Sequence, residues 1–169
     1  MKIKATLPAG SGLRAGGQQF HYVDSCTVPL QHSDAGANDA VTAFFQASPK
    51  WLNALFKLRN KIVGALGLKT GTTDLAELRP PYHIGQRFGL FKLISLSETE
   101  AIMGEDDRHL NFRTSFIVAA PVLIISTAVL FHNRWGRLYF FIIKPFHRMM
   151  MPIMAKKMAA YIDRLQQNT

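Results

Sequence analysis

From Leu110 the residues alternate. Leu110, Phe112, Thr114, Phe116 and Val118 fall on one parity, and His109, Asn111, Arg113 and Ser115 on the other. Successive strand side chains point to opposite faces, so this predicts a half-buried strand with its polar parity in water. Ala119-Ala120-Pro121 interrupts the run. Proline donates nothing to a ladder and fixes φ, which suits a turn. Val122–Phe131 is nearly all apolar, with Ile124, Ile125, Thr127 and Val129 β-branched, and predicts a second strand covered on both faces. The competing expectation is a membrane span from Phe116 to Phe131. That stretch has 16 residues, where a helical span needs about 20. Arg113 and Arg134 bracket it and Pro121, Ser126 and Thr127 lie inside it, so the hairpin is preferred.

The same criteria organise the rest. Residues 1–18 are glycine-rich and read as a flexible N-terminal segment ahead of a single domain over 19–169. Gln19–Leu30 predicts the first strand. Asn38 or Asp39 can cap a helix to about Gln46, with Val41, Phe44 and Phe45 as its apolar side. Ser48-Pro49 starts a second helix, whose stripe of Trp51, Leu52, Leu55, Phe56, Ile62, Val63 and Leu66 ends at Gly67. Lys69–Gln86 predicts a long loop, of the kind that forms lids or binding segments. Phe88–Ser97 and Glu98–Met103 predict strands, joined to the strand at Leu110 by an acidic turn, Gly104–Asp107. Beyond Asn133, Trp135–Ile143 is apolar all round and is expected to be buried. Pro145 is expected to break or kink the helix. A stripe of Phe146, Met150, Ile153, Met154, Met158, Tyr161 and Leu165 then predicts an amphipathic helix.

A strand, two short helices, a run of antiparallel strands and a long terminal helix make an α+β chain. One sheet face must be covered, and the long helix carries a matching stripe. The arrangement that satisfies both is a curved antiparallel sheet gripping the C-terminal helix, with room for a cavity between them.

Composition changes this picture little. At 169 residues the chain is long enough to bury a full core. One cysteine, Cys26, excludes an intrachain disulfide, and inside a strand it reads as a buried thiol. Lys2 and Lys4 are not followed by an apolar segment, so no signal peptide and a cytoplasmic location are expected. The net charge is +9, and residues 115–169 hold seven Lys/Arg against Asp163 alone. A basic C-terminal face fits an anionic membrane surface or a nucleic acid. No nucleic-acid-binding signature accompanies it, so nucleic acid is not an expected partner.

Four stretches carry a resemblance: YVDS at Tyr22–Ser25, PKWLNALFKLRNKIVGALGLK at Pro49–Lys69, GEDDRHLNFR at Gly104–Arg113 and FHNRWGRLYFFIIKPFHR at Phe131–Arg148. They resemble a bacterial domain-of-unknown-function family (DUF twenty-eight sixty-seven) within the START-like, or SRPBCC, helix-grip superfamily. The resemblance implies the fold and assigns no activity. A similar domain occurs behind NAD(P)-binding short-chain reductases, but no G-x-G-x-x-G follows a strand here, so that partner domain is not expected.

Candidate site residues follow from position and chemistry. Arg59 interrupts an apolar helix stripe, where a cation either snorkels or orients a ligand. Glu98 and Glu100 share a predicted strand face, and paired carboxylates can do acid–base work, although on an open face they are usually solvated. His132, Arg137, Tyr139 and His147 flank the junction of hairpin and helix, where a guanidinium and an imidazole suit an anionic group. Trp51, Arg113, Met150 and Met154 complete the ligand-binding set. Methionines suit a wall that receives varied apolar ligands, and equally an ordinary core. No metal-ligand spacing, serine elbow or phosphate loop occurs, so no cofactor, no metal and no catalytic residue is expected. The expected function is non-catalytic binding of an apolar or amphipathic small molecule. The alternatives are a peripheral membrane protein using the basic helix, and an enzyme using Glu100, Arg59 or His132. A homodimer through a strand edge is compatible with these features but not required.

Overall fold

The computed structural model describes residues 3–15, 17–31, 34–48 and 78–167. The predicted second helix, with Trp51 and Arg59, and the loop as far as residue 77 lie outside them. In chain order the elements are β1 (Ile3–Lys4), α1 (Gly12–Ala15), β2 (Tyr22–Pro29), α2 (Ala37–Gln46), β3 (Arg87–Phe88), β4 (Phe91–Leu96), β5 (Glu100–Asp106), β6 (Leu110–Ala119), β7 (Val122–Phe131) and α3 (Arg134–Gln167).

The hairpin forms as its alternation requires. β6 and β7 pair from Leu110↔Phe131 to Ala119↔Val122, and the turn between them carries a cis Ala120–Pro121 peptide. Antiparallel pairing extends the sheet to seven strands in the order β1-β2-β7-β6-β5-β4-β3. With the long C-terminal helix this is an α+β architecture compatible with a helix grip. Among the described residues no helix is long and apolar enough to cross a membrane.

One face of the sheet carries the main core. Cys26 and Val28 of β2, Leu123 and Ile125 of β7, Phe116 and Val118 of β6, and Ala101 and Met103 of β5 are buried beneath α2 and α3. α3 packs on β2, β7 and α2, and α2 also packs on β5 and β6. The side of α3 that enters the core is Met151, Met154, Ala155, Met158, Ala159 and Ile162. The expected stripe is therefore rotated, because Phe146 and Ile153 point outward while Met151 and Ile162 point in.

Several expectations are corrected. α3 is one helix of 34 residues that continues through Pro145 and Pro152. Each proline removes only one intrahelical donor. Trp135, Leu138, Phe141 and Ile142 are exposed rather than buried, since only one side of a single helix can face the sheet. The acidic turn is displaced: β5 runs through Asp106, and the chain reverses at Asp107–His109. The acids tolerate the strand because Glu105 pairs with Arg87 and Asp106 with Arg113, each at 2.6 Å. Glu98 lies in the turn before β5, so it does not share a strand face with Glu100. The strand expected from Phe88 is divided by Gly89, whose φ of 61° is open to glycine and strained for other residues.

The other face of the sheet is also covered. β1 pairs with β2 through Ile3↔Cys26 and Lys4↔Ser25. Leu13 of α1 is buried with Ile102 and Ala128, joined by Leu7, Phe20 and Val23. Described residues of the glycine-rich N-terminal segment thus pack on the sheet. Ser115, expected in water, is fully buried.

Candidate functional site

The alternation of β2 places Tyr22, Asp24, Cys26 and Val28 on the face that meets α3. Three of these suit a core and Asp24 does not, yet Asp24 is only 2% exposed. A buried carboxylate must find partners. Tyr22 donates its hydroxyl to Asp24 Oδ2 at 2.5 Å. Nε2 of His147, from the middle of α3, lies 3.2 Å from Oδ2 and 3.4 Å from Oδ1. The carboxylate only accepts, so Nε2 carries the proton in this pair. Burial, followed by donation to Asp24, holds the Tyr22 hydroxyl far above the usual tyrosine range. Above the ring, Lys144 Nζ stands 5.2 Å from its centroid, within cation–π reach.

Register extends this cluster into a row. Asp24 opposes Thr127, and Thr127 opposes Thr114, so three polar residues cross β2, β7 and β6 side by side. All three are buried. The row toward the loop end is Tyr22, Val129 and Phe112, and the row on the other side is Cys26, Ile125 and Phe116. The polar seam is therefore bounded by apolar rows. Phe112 stacks edge-on with Phe91 at 5.6 Å, and Phe91 meets Phe44 of α2 at 5.1 Å. At the other end Tyr22 packs on Phe140 at 4.7 Å. Part-buried aromatic rings thus flank the seam under the two helices.

The expected site residues disperse. His147 belongs to the seam. Tyr139 packs against the cluster of Leu110, Val129 and Phe140. Met154 is buried in the main core and Met150 is part-buried against it, so with Met151 and Met158 the methionine run is mostly core filling. Arg113 is engaged by Asp106 and by the carbonyls of Phe112 and Glu105. His132 Nε2 meets Asn111 Oδ1 at 2.8 Å, near the start of α3. Arg137 is exposed on the first turns of that helix. Glu100 lies on the opposite face of the sheet, where Ser11, Gly12 and Ser115 donate to it. Glu100 pairs with Ile117, which pairs with Ile124, whereas His132 follows the far end of β7. Eight strand residues separate those levels, about 26 Å, so the two groups do not meet. Trp51 and Arg59 lie outside the described residues.

Tyr22 and Asp24 lie within YVDS but were not among the expected ligand-binding residues. Their signal was parity: an acid on the inward side of an otherwise apolar alternation. The stretches 104–113 and 131–148 prove largely structural. Asn133 Oδ1 accepts the amides of Trp135 and Gly136, each at 3.1 Å, and so caps α3. The Asn133 amide also reaches the Arg108 carbonyl and His109 Nδ1. Gly136 lies so close to the His109 carbonyl that a Cβ there would sit 2.1 Å from its oxygen.

A family model described as Protein of unknown function (DUF2867) matches residues 17–154. The chain belongs to that family. The match spans β2 to the middle of α3 and so includes the whole seam. No curated protein matches this DUF2867 chain. A solved structure titled "Crystal structure of Ara h 8.0201" is similar at 11% identity, covering 83% of this chain and 97% of that one, with a TM-score of 0.28. A likeness of that size carries no argument about fold or function.

Proposed function

We propose that this protein is a non-catalytic binding module of the helix-grip kind, holding an apolar or amphipathic small molecule between the sheet and α3. The observation that carries the reading is the seam itself. Asp24, Thr127 and Thr114 form a polar line across three strands inside an otherwise apolar face. Sites for small organic ligands combine aromatic walls with a few placed polar groups. Here the walls are Phe112, Phe91, Phe44 and Met150, and the polar end is Tyr22, Asp24 and His147. The apolar part of a ligand would lie along the rings and its polar end at Asp24–His147. A reaction is not part of the proposal; Glu100 and His132, two of the residues named for one, lie at distant levels of the sheet.

Native mass spectrometry of the purified chain, followed by a thermal-shift screen of fatty acids, sterols and planar aromatic compounds, tests this. The expected result is a bound or stabilising compound whose effect is lost in Asp24→Asn and His147→Ala. If no compound binds or raises the melting temperature of the unaltered chain, the reading fails.

A further inference from the structure

α3 has a second side that the seam does not use. Trp135, Leu138, Ile142, Phe146, Met149 and Ile153 recur every three or four residues, which places them in one line along the helix. All are exposed, from 63% at Trp135 to 37% at Ile153. The line spans about 27 Å at 1.5 Å per residue. Such a continuous apolar line on a surface marks a place of contact.

Charge decides the kind of contact. Arg134, Arg137, Phe141 and Arg148 follow one another at three, four and seven residues and form the flank beside the line, with Phe141 76% exposed among them, while Lys144 turns inward over Tyr22. Lys156 and Lys157 close its far end, where the outward side of the helix turns polar. From Arg134 to Ile162 the sequence contains no Asp or Glu. A second copy of the chain laid on this face would set that cationic flank against its equal, with no acid to offset it. An anionic surface that is greasy beneath meets both properties at once. Helices lying in a bilayer interface have this make-up, with Trp, Phe and Leu on one side and Lys and Arg beside them.

We infer that the outward face of α3, from Trp135 to Ile153, docks on an anionic lipid bilayer. The helix lies in the plane of the headgroups, with the apolar line sunk into the acyl boundary and the arginines and lysines among the lipid charges. The six residues of the apolar line are on the side of α3 away from Asp24, so the inference stands or falls independently of ligand binding.

Trp135 and Trp51 are the two tryptophans of the chain, so Trp51→Phe leaves Trp135 as the sole reporter. In dilute solution its emission should be that of an exposed indole. Phosphatidylcholine vesicles containing phosphatidylserine should shift it blue, and phosphatidylcholine alone should not. The unaltered chain should co-sediment with the anionic vesicles and be released by salt. Phe141→Ser with Phe146→Ser should weaken that binding about tenfold or more, with unchanged circular dichroism because both rings are exposed. Lys156→Glu with Lys157→Glu should weaken it at low salt. No co-sedimentation at low salt, or equal binding to neutral vesicles, would overturn the inference. So would Trp135 emission that is already blue without lipid, whether dependent on protein concentration, as for a second copy, or independent of it, as for cover by residues 49–77.

Discussion

Asp24 shows what one residue can demand of its surroundings. Held nearly out of water, it is served by one hydroxyl from its own strand and one imidazole from a helix 123 residues away in sequence. Tyr22→Phe removes the hydroxyl and should cost about 1–3 kcal/mol at neutral pH, as for a hydrogen bond to a charged group. The pH dependence has a definite sign. Folding raises the Tyr22 pKa, so the unfolded chain ionises first. The stability tied to the neutral phenol is complete below the unfolded value near 10 and falls as pH climbs above it. Urea midpoints of the two proteins should therefore differ most between pH 7 and 9 and converge in more alkaline buffer. A gap that widens instead would place the ionised phenol in the fold. Asp24 was legible in the sequence as an acid on an inward parity. Its partner was not, because nothing local links a β2 carboxylate to a histidine on the last helix.

At the scale of elements, the start of α3 is the point of greatest constraint. Asn133 caps it and Gly136 lies against the His109 carbonyl, so the helix is clasped to the β5–β6 turn. Gly136→Ala would push a methyl group into main-chain atoms and should destabilise the fold by about 1–3 kcal/mol. Asn133→Ala should cost about 1 kcal/mol through loss of the cap. Denaturant unfolding followed by circular dichroism measures both, and a neutral Gly136→Ala would mean that the clasp is loose. The β6–β7 hairpin was readable because alternation, β-branching and a proline agreed. Two elements read less well for a physical reason. Trp135–Ile143 is hydrophobic on every side, and hydrophobicity does not say whether a side meets the core or something outside the chain. The acids at 105 and 106 looked like a turn because their arginine partners are not sequence neighbours.

For the molecule as a whole, the succession of elements along the chain and a terminal helix on an antiparallel sheet could be anticipated from periodicity, whereas the pairing of β2 with β7 could not, since no short connection links them. Nor could the covering of the outer face. Ile3, Leu7, Leu13 and Phe20 are scattered among glycines and make no pattern, yet three of them pack on that side of the sheet and Ile3, in β1, pairs with β2. What they conceal is a run of hydroxyls: Ser25, Ser126 and Ser115 stand side by side on β2, β7 and β6, all buried. A protein starting at Phe20 should melt at a lower temperature and be cut faster by protease, as followed by differential scanning fluorimetry and timed digestion. β1 is two residues long, but it occupies the open margin of the sheet. Remove it and the backbone of β2 is left with unused donors and acceptors, the condition in which sheets from separate molecules join edge to edge. Shortened forms should therefore be lost to precipitation as protein concentration rises, with that loss appearing before any change in what the inner face can bind.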